Sequence, residues 1–121
     1  MTFVRGEHLS FEELPGRRSA DPFGAGDAAV RVVEVTRGAP RTAHRHPHSD
    51  EYVYVVAGEG RLWVDGEWGR LAAGDLARIP RGALHATVAT SPTVRLVCFF
   101  AHPDLTSNLE ETDLPIGEEE E

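Results

Sequence analysis

An all-β double-sheet jelly roll, with an irregular N-terminal lead and a short acidic C-terminal tail, is the fold this sequence predicts. Three observations predict it. Apolar residues alternate over short stretches broken by Gly, Pro and Asp, which is the pattern of strands half-buried on one face. About eight such stretches occur, as a double-sheet jelly roll requires. Asp65-Gly66, between two of them, is the two-residue signature of a type I′ hairpin.

The elements follow in order. The lead, Leu14-Pro15-Gly16-Arg17-Arg18-Ser19-Ala20-Asp21-Pro22-Phe23-Gly24, is rich in Gly, Pro and Arg. It is expected to pack irregularly on the barrel or on a partner subunit, with a short edge strand near Leu9 to Leu14. Val30 to Thr36 alternates as the first long strand and stops at Gly38-Ala39-Pro40. Thr42 to His46 is a second strand, and Glu51 to Val56 a third, rich in Val and Tyr. Arg61 to Val64 and Glu67 to Leu71 flank the Asp65-Gly66 turn. Asp75 to Ile79 runs into Pro80-Arg81-Gly82, Leu84 to Val88 returns, and Arg95 to Phe100 closes the series after Ser91-Pro92. Residues 104–111 predict a helical turn or two, and Pro115, Gly117 and four terminal glutamates predict fraying. The expected organisation is one domain over residues 1–110 and a flexible acidic tail over 111–121.

A chain of 121 residues is large enough for one domain with a real core, and 40% hydrophobic with 26% charged residues is ordinary for a globular protein. The net charge of −8 is local in origin. Seven of the twenty acids lie from Glu110 onward, leaving thirteen against twelve arginines in the rest. No basic stripe offsets phosphate, so nucleic acid is not an expected partner. All twelve basic residues are arginine, and the absence of lysine excludes Schiff-base chemistry. No apolar run can span a membrane, and the N-terminus lacks the basic-then-apolar pattern of a secretory signal. Cys98 is the lone cysteine, which fits a reducing compartment, and a cytoplasmic location is expected.

Chemistry concentrates in two stretches. The first is Gly38-x5-His44-x-His46-x4-Glu51-x6-Gly58, and the second is Gly74-x5-Pro80-x-Gly82-x2-His85. Residues two apart on a strand share a face, so His44 and His46 point the same way. The turn Pro47-His48-Ser49-Asp50 then returns Glu51 beside them. Val53 and Val55 share the parity of Glu51, so that face is apolar, and a carboxylate placed there calls for a cation. Asp50 could replace Glu51 in a slipped register, but Glu51 shares parity with the apolar face. His85 arrives from the neighbouring hairpin. Three imidazoles and a carboxylate suit a divalent first-row transition metal with open coordination positions.

These two stretches resemble the two motifs of the cupin superfamily, in its small single-domain microbial form. The match covers Gly38, His44, His46, Glu51 and Gly58, then Gly74, Pro80, Gly82 and His85. It departs at Ala89, where the second motif usually ends in Asn. The resemblance implies a jelly-roll barrel, a metal held by His44, His46, Glu51 and His85, and a homodimer. One divalent transition metal per chain is expected, and the ligand set accommodates Fe, Mn, Ni, Cu, Co or Zn. It further implies a metal-dependent enzyme acting on a small molecule, with dioxygenase-like chemistry on an enolic or phenolic substrate foremost and isomerase or lyase chemistry a variant. Glu51 would then serve as both ligand and catalytic base. The alternative is a non-catalytic module that binds a small ligand or uses metal to stabilise the fold. Tyr52, Tyr54, Trp63, Cys98 and Phe100 read first as apolar packing, Cys98 as a buried inert thiol, and are the candidates for the cavity wall or the dimer seam. Whichever of Arg31 and Arg95 points inward would bind a substrate carboxylate. His48 is a turn residue, exposed or else touching the site mouth, and His8 and His102 read as structural or surface groups.

Overall fold

The computed structural model describes residues 1–24 and 26–116, and among them eleven strands form and no α-helix does. In chain order these are β1 (Glu12–Leu14), β2 (Arg17–Ala20), β3 (Ala29–Thr36), β4 (Thr42–Arg45), β5 (Glu51–Ala57) and β6 (Glu59–Val64). They continue as β7 (Glu67–Ala72), β8 (Leu76–Ile79), β9 (His85–Ala89), β10 (Thr93–Phe100) and β11 (Glu110–Pro115). A six-stranded sheet runs β1-β2-β3-β10-β5-β8 and a five-stranded sheet runs β11-β4-β9-β6-β7. Every pairing is antiparallel. This is the predicted all-β jelly roll.

Alternation decides what each strand buries. Val33 and Val35 of β3, Val53 and Val55 of β5, and Val94, Leu96, Cys98 and Phe100 of β10 all face inward. They meet Leu62, Leu71 and Ala89 from the other sheet, with Ile79 closing the edge. Full burial of each large side chain stabilises by about 1.5–3 kcal/mol. Gly58 makes the tight link between β5 and β6 at a φ of +84°. A Cβ there would strike the Thr93 carbonyl, so this position needs glycine on two counts.

The eight anticipated strands are β3 to β10, with ends shifted by a residue or two. The lead and the tail are corrected. β1 is the short edge strand expected near Leu9 to Leu14, and β2 pairs with it across the Pro15-Gly16 turn in place of an irregular segment. Residues 104–108 make one turn, closed by Asn108 N–H donating to Asp104 O (3.2 Å), within the one or two turns expected. Residues 110–115 form β11 along β4, where composition places a flexible tail. Glu111 meets Arg17 there (2.9 Å), so acids that look like a solvated run have specific cationic partners. The terminal glutamates Glu118 to Glu121 lie outside the described residues.

Candidate metal centre

The four motif residues converge because the two sheets bring them in from different directions. His44 on β4 lies directly across from His85, the first residue of β9. Glu51, the first residue of β5, comes from the facing sheet, where Phe100 of β10 is its lateral neighbour. His46 follows the end of β4 and packs its ring on Phe100 (centroids 4.6 Å apart). One ligand-type atom from each of the four lies within 4.8 Å of all the others, and all four residues are buried.

These atoms are close without being satisfied. Glu51 Oε1 lies 3.0 Å from His46 Nε2 and 2.9 Å from His85 Nε2. Yet Glu51 Oε1, His85 Nε2 and His44 Nδ1 are fully buried with no aligned hydrogen-bond partner. Buried polar atoms are rarely left so, and three in one cluster mark a place where a cation would complete the set. The outward nitrogens are fixed. His46 Nδ1 meets Asn108 O at 2.7 Å and His85 Nδ1 meets Ala83 O at 2.9 Å. A carbonyl can only accept, so both Nδ1 atoms donate and both Nε2 lone pairs turn inward.

Protonation states agree with this. Burial, then the charges of His85 and Arg17, hold His44 well below its ordinary value, so its ring is neutral at physiological pH. Burial alone would raise Glu51, and positive charge beside it, from protonated His46 and His85 or from a cation among them, outweighs that and keeps the carboxyl ionised. Burial and the neighbouring Glu51 push the Cys98 thiol up, which leaves it protonated.

Asn108 is the residue that sequence reasoning missed. Its side chain is wholly buried, with Oδ1 accepting from His48 N–H (2.8 Å) and Nδ2 donating to Ser49 Oγ (2.8 Å). It thus holds the turn that separates the histidines from Glu51. Asp50 stays outside the cluster, accepting from Arg81 N–H (2.7 Å) and so joining the two motif turns. Nothing local in the sequence signals Asn108, which reaches the site through the turn after Pro103.

The remaining candidates divide by strand parity. Arg31 points into the barrel, whereas Arg95 points out and pairs with Glu34. Cys98 and Phe100 face inward. Tyr52 and Tyr54 lie on the outer face of the six-stranded sheet and line no part of the site, and Trp63 has the outward parity of β6. His48 is exposed and stacks on His102 (5.2 Å), and His8 is exposed beside Glu7. Ala89 faces the core and packs among apolar side chains.

The family model described as Cupin domain matches residues 31–101. An uncharacterized protein of Aquifex aeolicus is 38% identical over 58 residues, covering 48% of each chain. The tetracenomycin polyketide synthase protein TcmJ of Streptomyces glaucescens is 28% identical over 85 residues, covering 70% of this chain and 57% of its own. The chain thus spans about half the length of the curated relatives it matches. Among solved structures, KdgF from Halomonas sp. superposes with a TM-score of 0.72 at 28% identity, over 82% of this chain and 93% of that one.

Proposed function

We propose that this chain, which belongs to the cupin domain family, is a metal-dependent enzyme acting on a small molecule, with His44, His46, Glu51 and His85 as ligands to one divalent transition metal. The observation that carries this reading is the trio of buried, unpartnered ligand-type atoms on Glu51, His85 and His44. When bound, such a metal supplies a Lewis acid with open positions for substrate oxygen and, if redox-active, for oxygen chemistry. The chain's own part is to hold the lone pairs inward, to keep water out with Val33, Leu96 and Phe100, and to keep Glu51 ionised. An ionised Glu51 can take the proton of a substrate hydroxyl as catalytic base. Dioxygenase-type chemistry on an enolic or phenolic molecule is the foremost version, and isomerase or lyase chemistry is the variant. That the relative TcmJ is a polyketide synthase protein supports an oxygen-rich, enolisable substrate.

Metal analysis of protein purified without a histidine tag tests the reading, with a His44→Ala/His85→Ala double variant beside it. Near-stoichiometric metal, lost in the variant, is the expected result. A wild-type site that refuses added Fe, Mn, Ni, Cu, Co and Zn overturns it. Oxygen uptake over catechol and flavonol substrates then separates the dioxygenase from the isomerase or lyase version.

One observation favours the non-catalytic alternative. The free space beside the cluster is only about 20 Å³, room for about one water. A Glu51→Gln variant that binds metal and loses no measured activity would support a binding or metal-stabilised module. A cytoplasmic, homodimeric state completes the proposal. The lone buried Cys98 supports the first part, and an apolar sheet face supports the second. No helix among the described residues is long and apolar enough to cross a membrane.

A further inference from the structure

Three arginines are buried inside this barrel, and they are not equivalent. Arg17 donates to Pro15 O (3.0 Å) and to Glu111 Oε1 (2.9 Å). Arg41 donates to Thr87 O (3.0 Å) and Pro15 O (2.9 Å). Arg31 is 7% exposed, and its guanidinium makes no hydrogen bond among the described residues. Its Nε is fully buried without a partner, and its nearest aromatic contact is the Phe100 ring at 5.9 Å. The charged and titratable groups around it are Arg17, Glu51, Cys98 and Asp21. Asp21 is itself exposed and accepts from Gly24 N–H.

Arg31 lines the same cavity as His44, His46, Glu51 and His85. The only carboxylate lining that cavity is Glu51, and a metal ion would use its charge. Arg17 is offset by Glu111, which leaves the interior cationic at Arg31 and Arg41. A buried cation with nothing to bond is costly to the fold, so its retention asks for a ligand that pairs with it. The planar fork of a guanidinium fits two oxygens side by side. The space of about 20 Å³ holds about one water, so a carboxylate enters only as the cavity opens.

We propose that Arg31 receives the carboxylate of a small anionic substrate whose other oxygen is engaged by the four-residue cluster. This rests on the reading of that cluster as a metal centre and narrows the substrate to the carboxylate class. Arg31 is then the residue that selects charge and sets the substrate's orientation.

The test is calorimetric binding of oxalate, of its uncharged counterpart oxamide and of inorganic phosphate. It uses metal-loaded and metal-free wild type, Arg31→Met and Arg31→Lys, with metal content and Tm read for each. Oxalate is expected to bind wild type and to lose about tenfold or more in Arg31→Met, with Arg31→Lys between them. Metal content stays unchanged, and Tm in Arg31→Met stays level or rises, because an unpaired buried charge has gone. Oxalate affinity within twofold of wild type in Arg31→Met overturns the proposal, as does oxamide or phosphate binding as tightly as oxalate. Should Arg31→Met not fold, the Arg31→Lys comparison and the oxalate–oxamide difference on wild type decide alone. Failure to load metal sinks the metal reading only, since the metal-free arm reports Arg31-dependent oxalate binding independently.

Discussion

Asn108 joins three groups of the first motif with one side chain and one carbonyl. The His46 ring, the His48 amide and the Ser49 hydroxyl all depend on it, and none has another described partner for the same bond. Asn108→Ala removes both side-chain bonds inside a fully buried site, which costs about 1–3 kcal/mol for the groups left unpaired. It also frees the turn that spaces His46 from Glu51. Loss of such outer support typically weakens metal affinity by about 10–100-fold. Thermal unfolding of the variant should show the first effect, and a competitive chelator titration the second. A variant with wild-type affinity would mean that the strands alone orient His46. The four ligand-type residues were legible in the sequence because each sits at a fixed offset from a turn glycine or proline. Asn108 and Arg17 were not, since they reach the site from segments far along the chain, and Arg41, three residues before His44, precedes the strand and carries no periodic signal of its direction.

Across the outer face of the six-stranded sheet, Glu34 of β3 sits in register between Arg18 of β2 and Arg95 of β10. Arg18 Nε reaches Glu34 Oε1 at 2.5 Å and Arg95 Nε reaches Oε2 at 2.8 Å, so one carboxylate links three strands. Burial works to raise the Glu34 carboxyl, but the two arginine hydrogen bonds outweigh it and lower it below its ordinary value of 4.5. A lowered carboxylate binds fewer protons folded than unfolded, so its contribution is full above about pH 4.5 and is lost as pH falls through the lowered value. Solvent screening at this partly exposed site limits that contribution to about 1 kcal/mol. Glu34→Gln should therefore lower stability by about that much at pH 7, and the gap from wild type should close in acid. Denaturant unfolding at pH 7 and pH 3 checks it, and an equal gap at both would assign the effect to packing. This clamp also explains why β2 was illegible. Its residues Arg-Arg-Ser-Ala carry no apolar alternation, and the strand exists because its backbone and Arg18 find β3. β11 is the same case, held by pairing with β4 and by Glu111 on Arg17. Strands β3 to β10 alternate because each covers the core with one face, and that is what a sequence displays.

At the scale of the whole molecule, one part of the outer face of the six-stranded sheet is apolar. Tyr52 (44% exposed), Tyr54 (45%), Val56 (44%), Leu76 (78%) and Phe99 (41%) all lie outward on β5, β8 and β10. Register makes them neighbours, with Tyr52 across from Phe99 and Tyr54 across from Leu76. A contiguous apolar patch on an otherwise charged surface is the usual mark of an interface. A two-fold axis would place the same patch on both sides, so that apolar meets apolar without any new complementarity. Glu110, Glu111 and Asp113 lie on β11 of the other sheet, away from the patch. Sedimentation velocity should then report a dimer for the wild type. Tyr54→Arg would set two like charges against each other across the axis and bury both. Like-charge juxtaposition costs several kcal/mol, so the variant should dissociate by at least about a hundredfold and run as a monomer. Because Tyr54 points away from the barrel interior, metal content should not change. A wild type that is monomeric at every concentration would free this face from any role in self-association. A dimer untouched by Tyr54→Arg would move the interface elsewhere, with the β2 lead as the next surface to vary.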